Sequence, residues 1–219
     1  MDRQSIIDGI VQEKIIVIVR GVAGKDLISL AEAMYEGGVR FIEITYSMSG
    51  APSDEETAEN IRTLVSHFRG RMHVGAGTVL TERQVELTAE AGGEFIISPD
   101  ANPAVIAKTR ELGLVSIPGA LTPTEVMTAH RAGADFVKLF PVTSMGPAYV
   151  KAIKAPLSAI RFLAVGGVNE KNMGEYLSVG VSGFGIGSNI VNMNMVKEGD
   201  FEGITRLARE FLLALGESK

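Results

Sequence analysis

The chain has no cysteine and no tryptophan among its 219 residues. Without cysteine there are no disulfides, no thiolate nucleophile and no Cys-ligated metal. Histidine is almost as scarce. His67, His73 and His130 share no metal-ligand spacing, and no acidic cluster suggests a divalent metal site, so neither a metal nor any other cofactor is expected. A broad basic face is also missing. The net charge of −5 argues against a nucleic-acid partner, yet leaves room for an anionic small molecule held by one or two basic side chains and a helix N-terminus. No apolar run approaches the ~20 residues of a membrane span, and Asp2 and Arg3 make a polar start rather than a signal peptide, so no membrane partner and a cytoplasmic location are expected.

What the chain does have is a recurring unit: an amphipathic helix, a glycine stop and a short apolar strand. Leu27, Leu30, Ala31 and Met34 keep helical spacing, Gly37-Gly38 ends the run, and Phe41-Ile42-Glu43-Ile44 reads as a strand. The pattern returns at Gly92-Gly93, Gly133 and Gly180. Eight strands are predicted: Ile15 to Val19, Phe41 to Thr45, His73 to Gly77, Phe95 to Ser98, Leu114 to Ile117, Phe136 to Phe140, Phe162 to Val165, and Phe184 to Gly187. Ser53 to Glu56, Thr81 to Gln84 and Thr122 to Glu125 match capping boxes, the last with Pro123 at the first helical position, and Asn102-Pro103 is a further cap. A final helix would bury Ile204, Leu207, Ala208, Phe211 and Leu215. Strands alternating with helices in this way predict an α/β fold, a (β/α)₈ TIM barrel, with an extra N-terminal helix and one domain over residues 1–219. An open doubly wound sheet is the architectural alternative.

In such a barrel the chemistry lies at the C-terminal ends of the strands. Lys138 interrupts the apolar strand Phe136-Val137-Lys138-Leu139-Phe140. An ordinary lysine, with a pKa of ~10.4, is less than about 0.1% neutral at pH 7, and burial would lower that pKa and supply a free amine for attack on a carbonyl. Glu43 interrupts Phe41-Ile42-Glu43-Ile44-Thr45 in the same way and could move protons beside that amine. The competing explanation is a buried Lys138–Glu43 ion pair, for which desolvation offsets much of the attraction. Gly166-Gly167 and Gly185-Ile186-Gly187-Ser188 end two adjacent strands and suit an anion bound by backbone N–H groups. Arg20 could hold a substrate carboxylate in bidentate fashion or form a rim salt bridge. Thr78 could hydrogen-bond to the same carboxylate, or cap a helix, a role that Thr81 fills better.

Six ordered segments, running nearly end to end, resemble the KDPG/KHG aldolase family, the class I 2-keto-3-deoxy-6-phosphogluconate and 4-hydroxy-2-oxoglutarate aldolases. They are Gly38 to Thr45, Val74 to Val79, Ile97-Ser98-Pro99, Pro118-Gly119, Lys138-Leu139-Phe140-Pro141 and Gly166-Gly167-Val168. The resemblance implies a metal-free homotrimeric barrel that cleaves a phosphorylated 2-keto acid to pyruvate and glyceraldehyde 3-phosphate, and 4-hydroxy-2-oxoglutarate to pyruvate and glyoxylate. It further implies that Lys138 forms the Schiff base and Glu43 is the general acid/base. Thr78 would contact the pyruvate carboxylate, Phe140 would line the pocket, and Gly166, Gly167 and Ser188 would bind phosphate. Two positions depart from the common pattern: Ser47 stands where many relatives have arginine, and Ala164-Val165 where they read Pro-Thr. With Arg20 as the substitute arginine, and with Met145-Gly146-Pro147, Tyr149 and Lys151, these resemble the branch acting on the galactonate epimer. The lead expectation is the gluconate substrate and the alternative the galactonate one. A phosphosugar epimerase or isomerase, or a non-catalytic phosphosugar-binding protein, are more distant alternatives.

Overall fold

A computed structural model describes residues 2–217. Helix α1 (Arg3–Glu13) comes first. Strands and helices then alternate: β1 (Ile15–Val19), α2 (Gly24–Glu36), β2 (Phe41–Thr45), α3 (Asp54–Phe68), β3 (His73–Gly77), α4 (Glu82–Glu90), β4 (Phe95–Ile97) and α5 (Pro103–Glu111). Only Pro118 separates β5 (Val115–Ile117) from β6 (Gly119–Ala120). Next come α6 (Pro123–Arg131), β7 (Val137–Leu139), α7 (Gly146–Lys154), β8 (Phe162–Val165), α8 (Met173–Ser178), β9 (Gly183–Ile186), α9 (Met193–Glu198) and α10 (Phe201–Glu217).

The parallel strands run β5-β4-β3-β2-β1-β9-β8-β7-β6, so the two ends of the order are the two halves of one interrupted strand. The sheet therefore returns on itself as a nearly closed barrel, and the open-sheet alternative is not what forms. Eight strands were expected, and among the described residues nine are found. Pro118 has no N–H and breaks the ladder of the fifth. Its carbonyl still accepts the Lys138 N–H at 2.8 Å, and the Phe140 N–H donates to Ala120 at 3.1 Å, which stitches the seam. Several other ends differ by a residue. β4 stops before Ser98, β5 begins after Leu114, β7 is shorter at both ends than Phe136 to Phe140, and β9 spans 183–186 rather than 184–187.

All three capping boxes form, on Ser53, Thr81 and Thr122, and Asn102 caps α5 by accepting from Ala104 N–H. In α10, Ile204, Ala208, Phe211 and Leu215 are buried, while Leu207 is only half-buried at the edge of that stripe. Among the described residues no helix is long and apolar enough to cross a membrane.

Strand alternation sorts side chains into two cores. Val17, Val19, Ile42, Ile44, Val137 and Leu139 face outward to the helices. Ile16, Phe41, Phe95, Ile97, Val115, Ile117, Phe136 and Leu163 face inward, where Ile6, Ile7 and Ile10 of α1 join them. Thus α1 plugs the N-terminal end of the barrel. Asp135 ties it there, accepting from Arg3 Nε at 3.2 Å and from the Ser116 N–H at 2.9 Å. Large inward side chains are matched by glycines on neighbouring strands: a Cβ on Gly75 would lie 2.3 Å from the Phe95 ring. Because Ile10 is fully packed in this plug, Ile10→Ala should cost about 2–5 kcal/mol in urea unfolding. A loss under 1 kcal/mol would mean that α1 is only loosely seated.

Candidate active site

The inward face of β7 carries Phe136, then Lys138, and that of β2 carries Phe41, then Glu43, so each charged side chain stands one layer above a phenylalanine. Lys138 is 7% exposed and Glu43 2%. Both line a small internal chamber with Ile16, Ile18, Ile97, Ile117, Leu163, Val165 and Gly185. Glu43 stays in this apolar wall because β3 makes room for it. A Cβ on Gly77 would stand 1.5 Å from Glu43 Oε1, so no other residue fits there without moving the carboxyl.

Burial dominates both ionisations. Desolvation pushes the Glu43 carboxyl above its ordinary 4.5, against the opposing pull of Lys138 and then Arg20. Desolvation likewise holds the Lys138 amine below its ordinary 10.5; Glu43 opposes that shift and Arg20 adds to it. The two groups feel each other's charge without a contact hydrogen bond, and Glu43 Oε2 has no hydrogen-bond partner at all. The simple buried ion pair is therefore not formed. Lys138 Nζ lies 4.8 Å from the Phe140 ring centroid, so the ring at the mouth covers the amine.

Above the chamber opens a cavity of about 470 Å³ lined by Arg20, Phe140, Gly166, Gly167, Gly187 and Ser188, among others. Ile18, Val165 and Gly185 belong to both spaces and form the passage between them. Two turns shape the far wall. After β8, Gly166 and Gly167 take φ of +91° and +76°, a left-handed backbone that side chains rarely adopt. Asn172 Nδ2 donates to the Gly167 carbonyl at 2.9 Å and Asn189 Nδ2 to the Val168 carbonyl at 3.1 Å. After β9, the N–H groups of Ile190 and Val191 both donate to the Gly187 carbonyl, at 3.0 and 2.9 Å, closing one helical turn. Among the described residues, the N–H groups of Gly167, Ser188 and Asn189 meet no acceptor. Unpaired donors at such turns form an anion-binding concavity.

On the near wall, Arg20 Nη2 donates to Thr78 Oγ1 at 3.4 Å. Among the described residues, Thr78 is one of three non-glycine residues with positive φ, at +55°. Such backbone strain at a rim position is of the kind that active sites hold. Thr81, not Thr78, caps α4.

The structure brings every expected site residue to one end of the barrel: Lys138 and Glu43 in the chamber, Arg20 with Thr78 on one wall, Phe140 at the mouth, and Gly166, Gly167, Gly187 and Ser188 opposite. Four contributors were not foreseen. Gly77 clears the space for Glu43, a cross-strand relation invisible in one strand's residues. Asn172 and Asn189 fix the anion turns; Asn169 and Asn172 after a Gly-Gly pair were the available signal. Met193 also lines the cavity, and nothing in its surroundings in sequence marks it.

The model of the family described as KDPG and KHG aldolase matches residues 6–207. A probable 2-dehydro-3-deoxy-6-phosphogalactonate aldolase of Rhizobium meliloti is 36% identical over 84% of this chain and 84% of its own. A solved structure described as native KDPGal superposes with a TM-score of 0.84 at 32% identity, covering 93% of this chain and 95% of that one. A KDPG aldolase of Legionella pneumophila, with pyruvate captured as a covalent carbinolamine, gives 0.83 at 27% identity, covering 95% and 97%. The chain therefore belongs to the KDPG and KHG aldolase family, making it a class I aldolase, a carbon–carbon lyase.

Proposed function

We propose that the chain cleaves a 6-phosphorylated 2-keto-3-deoxy-hexonate reversibly to pyruvate and glyceraldehyde 3-phosphate through an imine on Lys138. The observation that carries this reading is the pair of buried, mutually uncontacted groups, an amine held toward its neutral form and a carboxyl held toward its own. A neutral amine attacks the C2 carbonyl. The resulting carbinolamine must lose hydroxide as water, and the protonated Glu43 can supply that proton. Iminium formation then places a positive charge in the chamber, which favours the Glu43 carboxylate just made. That carboxylate accepts the C4 hydroxyl proton. The C4–O electrons form the aldehyde, the C3–C4 pair becomes the enamine, and the iminium nitrogen takes the displaced π pair. Protonation at C3 and hydrolysis release pyruvate.

Arg20 and Thr78 would hold the carboxylate, Phe140 would cover the reacting carbons, and the turns at Gly166-Gly167 and Gly187-Ser188 would hold the phosphate. The covalent pyruvate adduct of the Legionella relative supports the imine. On the same chemistry, 4-hydroxy-2-oxoglutarate would give pyruvate and glyoxylate. The phosphogluconate epimer remains the lead substrate. The phosphogalactonate epimer is a second reading with its own support. Val165 offers no hydroxyl on the cavity wall, Arg20 occupies that rim in place of an arginine at Ser47, and the 36%-identical relative bears that name. The ratio of kcat/KM for the two substrates decides between them.

Reduction with borohydride in the presence of pyruvate should add one pyruvate-derived mass per chain, on Lys138, and should do so well below pH 10.5 because burial lowers that pKa. An adduct only on Lys151 or Lys154, or none, would overturn the imine. The same burial fixes a sign for stability. Below its unfolded pKa the unfolded lysine charges while the folded one resists, so stability falls as pH drops from 10.5; for Glu43 the unfolded carboxyl ionises first, so stability falls as pH rises from 4.5. Lys138→Met should therefore lose all adduct yet match or exceed the parent's Tm at pH 7. A large fall in Tm would restore the ion-pair explanation.

Glu43→Gln keeps the shape and removes the proton step, so cleavage should fall roughly 10²- to 10⁴-fold while the imine still traps, more slowly. Single-turnover cleavage and Tm on one preparation give the answer. A destabilised variant with undiminished turnover per folded molecule would take Glu43 out of the mechanism.

A further inference from the structure

Among the described residues, two buried side-chain atoms lack a hydrogen-bond partner, Glu43 Oε2 and Thr45 Oγ1. They lie two residues apart on β2. Strand alternation puts both on the inward face, and their neighbours confirm it. Ile44 packs in the outer core, and Tyr46 turns outward to α4, its hydroxyl donating to the Gln84 carbonyl at 3.2 Å and lying 3.0 Å from Thr88 Oγ1. The carboxyl of Glu43 is also carried up to the level of Thr45. Its Oε1 stands against Gly77, and Gly77 is the register partner of Thr45. At 5% exposure the Thr45 hydroxyl has no solvent to turn to. An unpaired buried hydroxyl costs stability, whereas valine of the same shape would not. Two orphans at one level of one strand face invite a common partner.

We infer that Thr45 Oγ1 and Glu43 Oε2 together hold a water that carries the C3 proton between Glu43 and the substrate, so that Thr45 is a positioning residue for that proton transfer. This rests on the imine reading above and deepens it. In the half-reaction with pyruvate alone, the water takes a proton from C3 of the iminium and passes one to the Glu43 carboxylate. The C3–H pair becomes the C2=C3 bond of the enamine, and the C=N π pair returns to nitrogen. The reverse transfer from solvent-exchanged Glu43 puts a different proton on C3. Thr45 contributes no proton to this balance. It fixes the water's oxygen by one hydrogen bond so that a lone pair faces C3 and an O–H faces Glu43.

Pyruvate in D₂O separates the two parts of the cycle: borohydride trapping reads the imine, and loss of the methyl proton signal reads the C3 transfer. Thr45→Val should trap pyruvate at the parent rate and concentration dependence, yet exchange its methyl protons at least 10-fold more slowly. Its Tm should equal or exceed the parent's, and Thr45→Ser should restore exchange to within a few-fold. If Thr45→Val exchanges at the parent rate, Thr45 has no part in proton transfer. If trapping and exchange fall together with weakened pyruvate binding, the hydroxyl holds the substrate instead, and the water assignment is wrong. If the valine variant unfolds, the serine variant decides: parent-like stability with slow exchange also overturns the proposal, because serine keeps the hydroxyl. If the parent protein traps no pyruvate, it is the imine reading that fails, before Thr45 is in question.

Discussion

Moving an ammonium and a carboxylate out of water costs more than their attraction returns unless they touch in good geometry. Lys138 and Glu43 do not touch, so burial in the barrel interior shifts each of them toward its uncharged form. Much of the site follows from that constraint. A neutral amine is a nucleophile and a neutral carboxyl is an acid, which are the two forms needed first in imine chemistry. Once the iminium exists the balance reverses, since a fixed cation now stands near Glu43 and stabilises its anion. The step that builds the electron sink also makes the base that uses it. The field of Arg20 from the rim works on both groups in the same direction, toward loss of a proton.

The interior can shift such groups only if bulk solvent is kept out and there is room. Bulk solvent is kept out by α1 below and by the isoleucines around the chamber. Room comes from glycine. The inward face of β9 reads Gly183 and Gly185, with Gly187 just beyond its end, and that of β3 places Gly75 beside Phe95 and Gly77 beside Glu43. Packing there is complementary, with bulk on one strand accepted by its absence on the next. A cavity passing upward through Ile18, Val165 and Gly185 is what remains.

Most of this was legible in the residues, because its causes are local. Alternating helices and strands, three capping boxes and two charges inside apolar strands are each visible within a short window. Pro118 is equally visible, but its consequence depends on two different neighbours: β5 pairs with β4, and β6 with β7. That is why one expected strand is two. The fit of Gly77 to Glu43, and the common level of Glu43 and Thr45, depend on the register of β2 against β3, which no single segment contains. Likewise the carbonyls held by Asn172 and Asn189 belong to a turn whose closing partners lie up to 21 residues away. Local pattern predicts which groups are present at the rim. Cross-strand register decides which of them meet.

The plug of α1 has a consequence for traffic. With Ile6, Ile7 and Ile10 filling one end, the described residues leave the chamber opening at the other, where Phe140 lines the way in. For the reaction proposed, pyruvate lies below and the phosphorylated aldehyde above it, at the rim. The geometry then sets an order: the aldehyde must depart before pyruvate can be hydrolysed and follow, and in the condensing direction pyruvate must arrive first. A blind-ended barrel thus makes the sequence of binding and release a property of its shape.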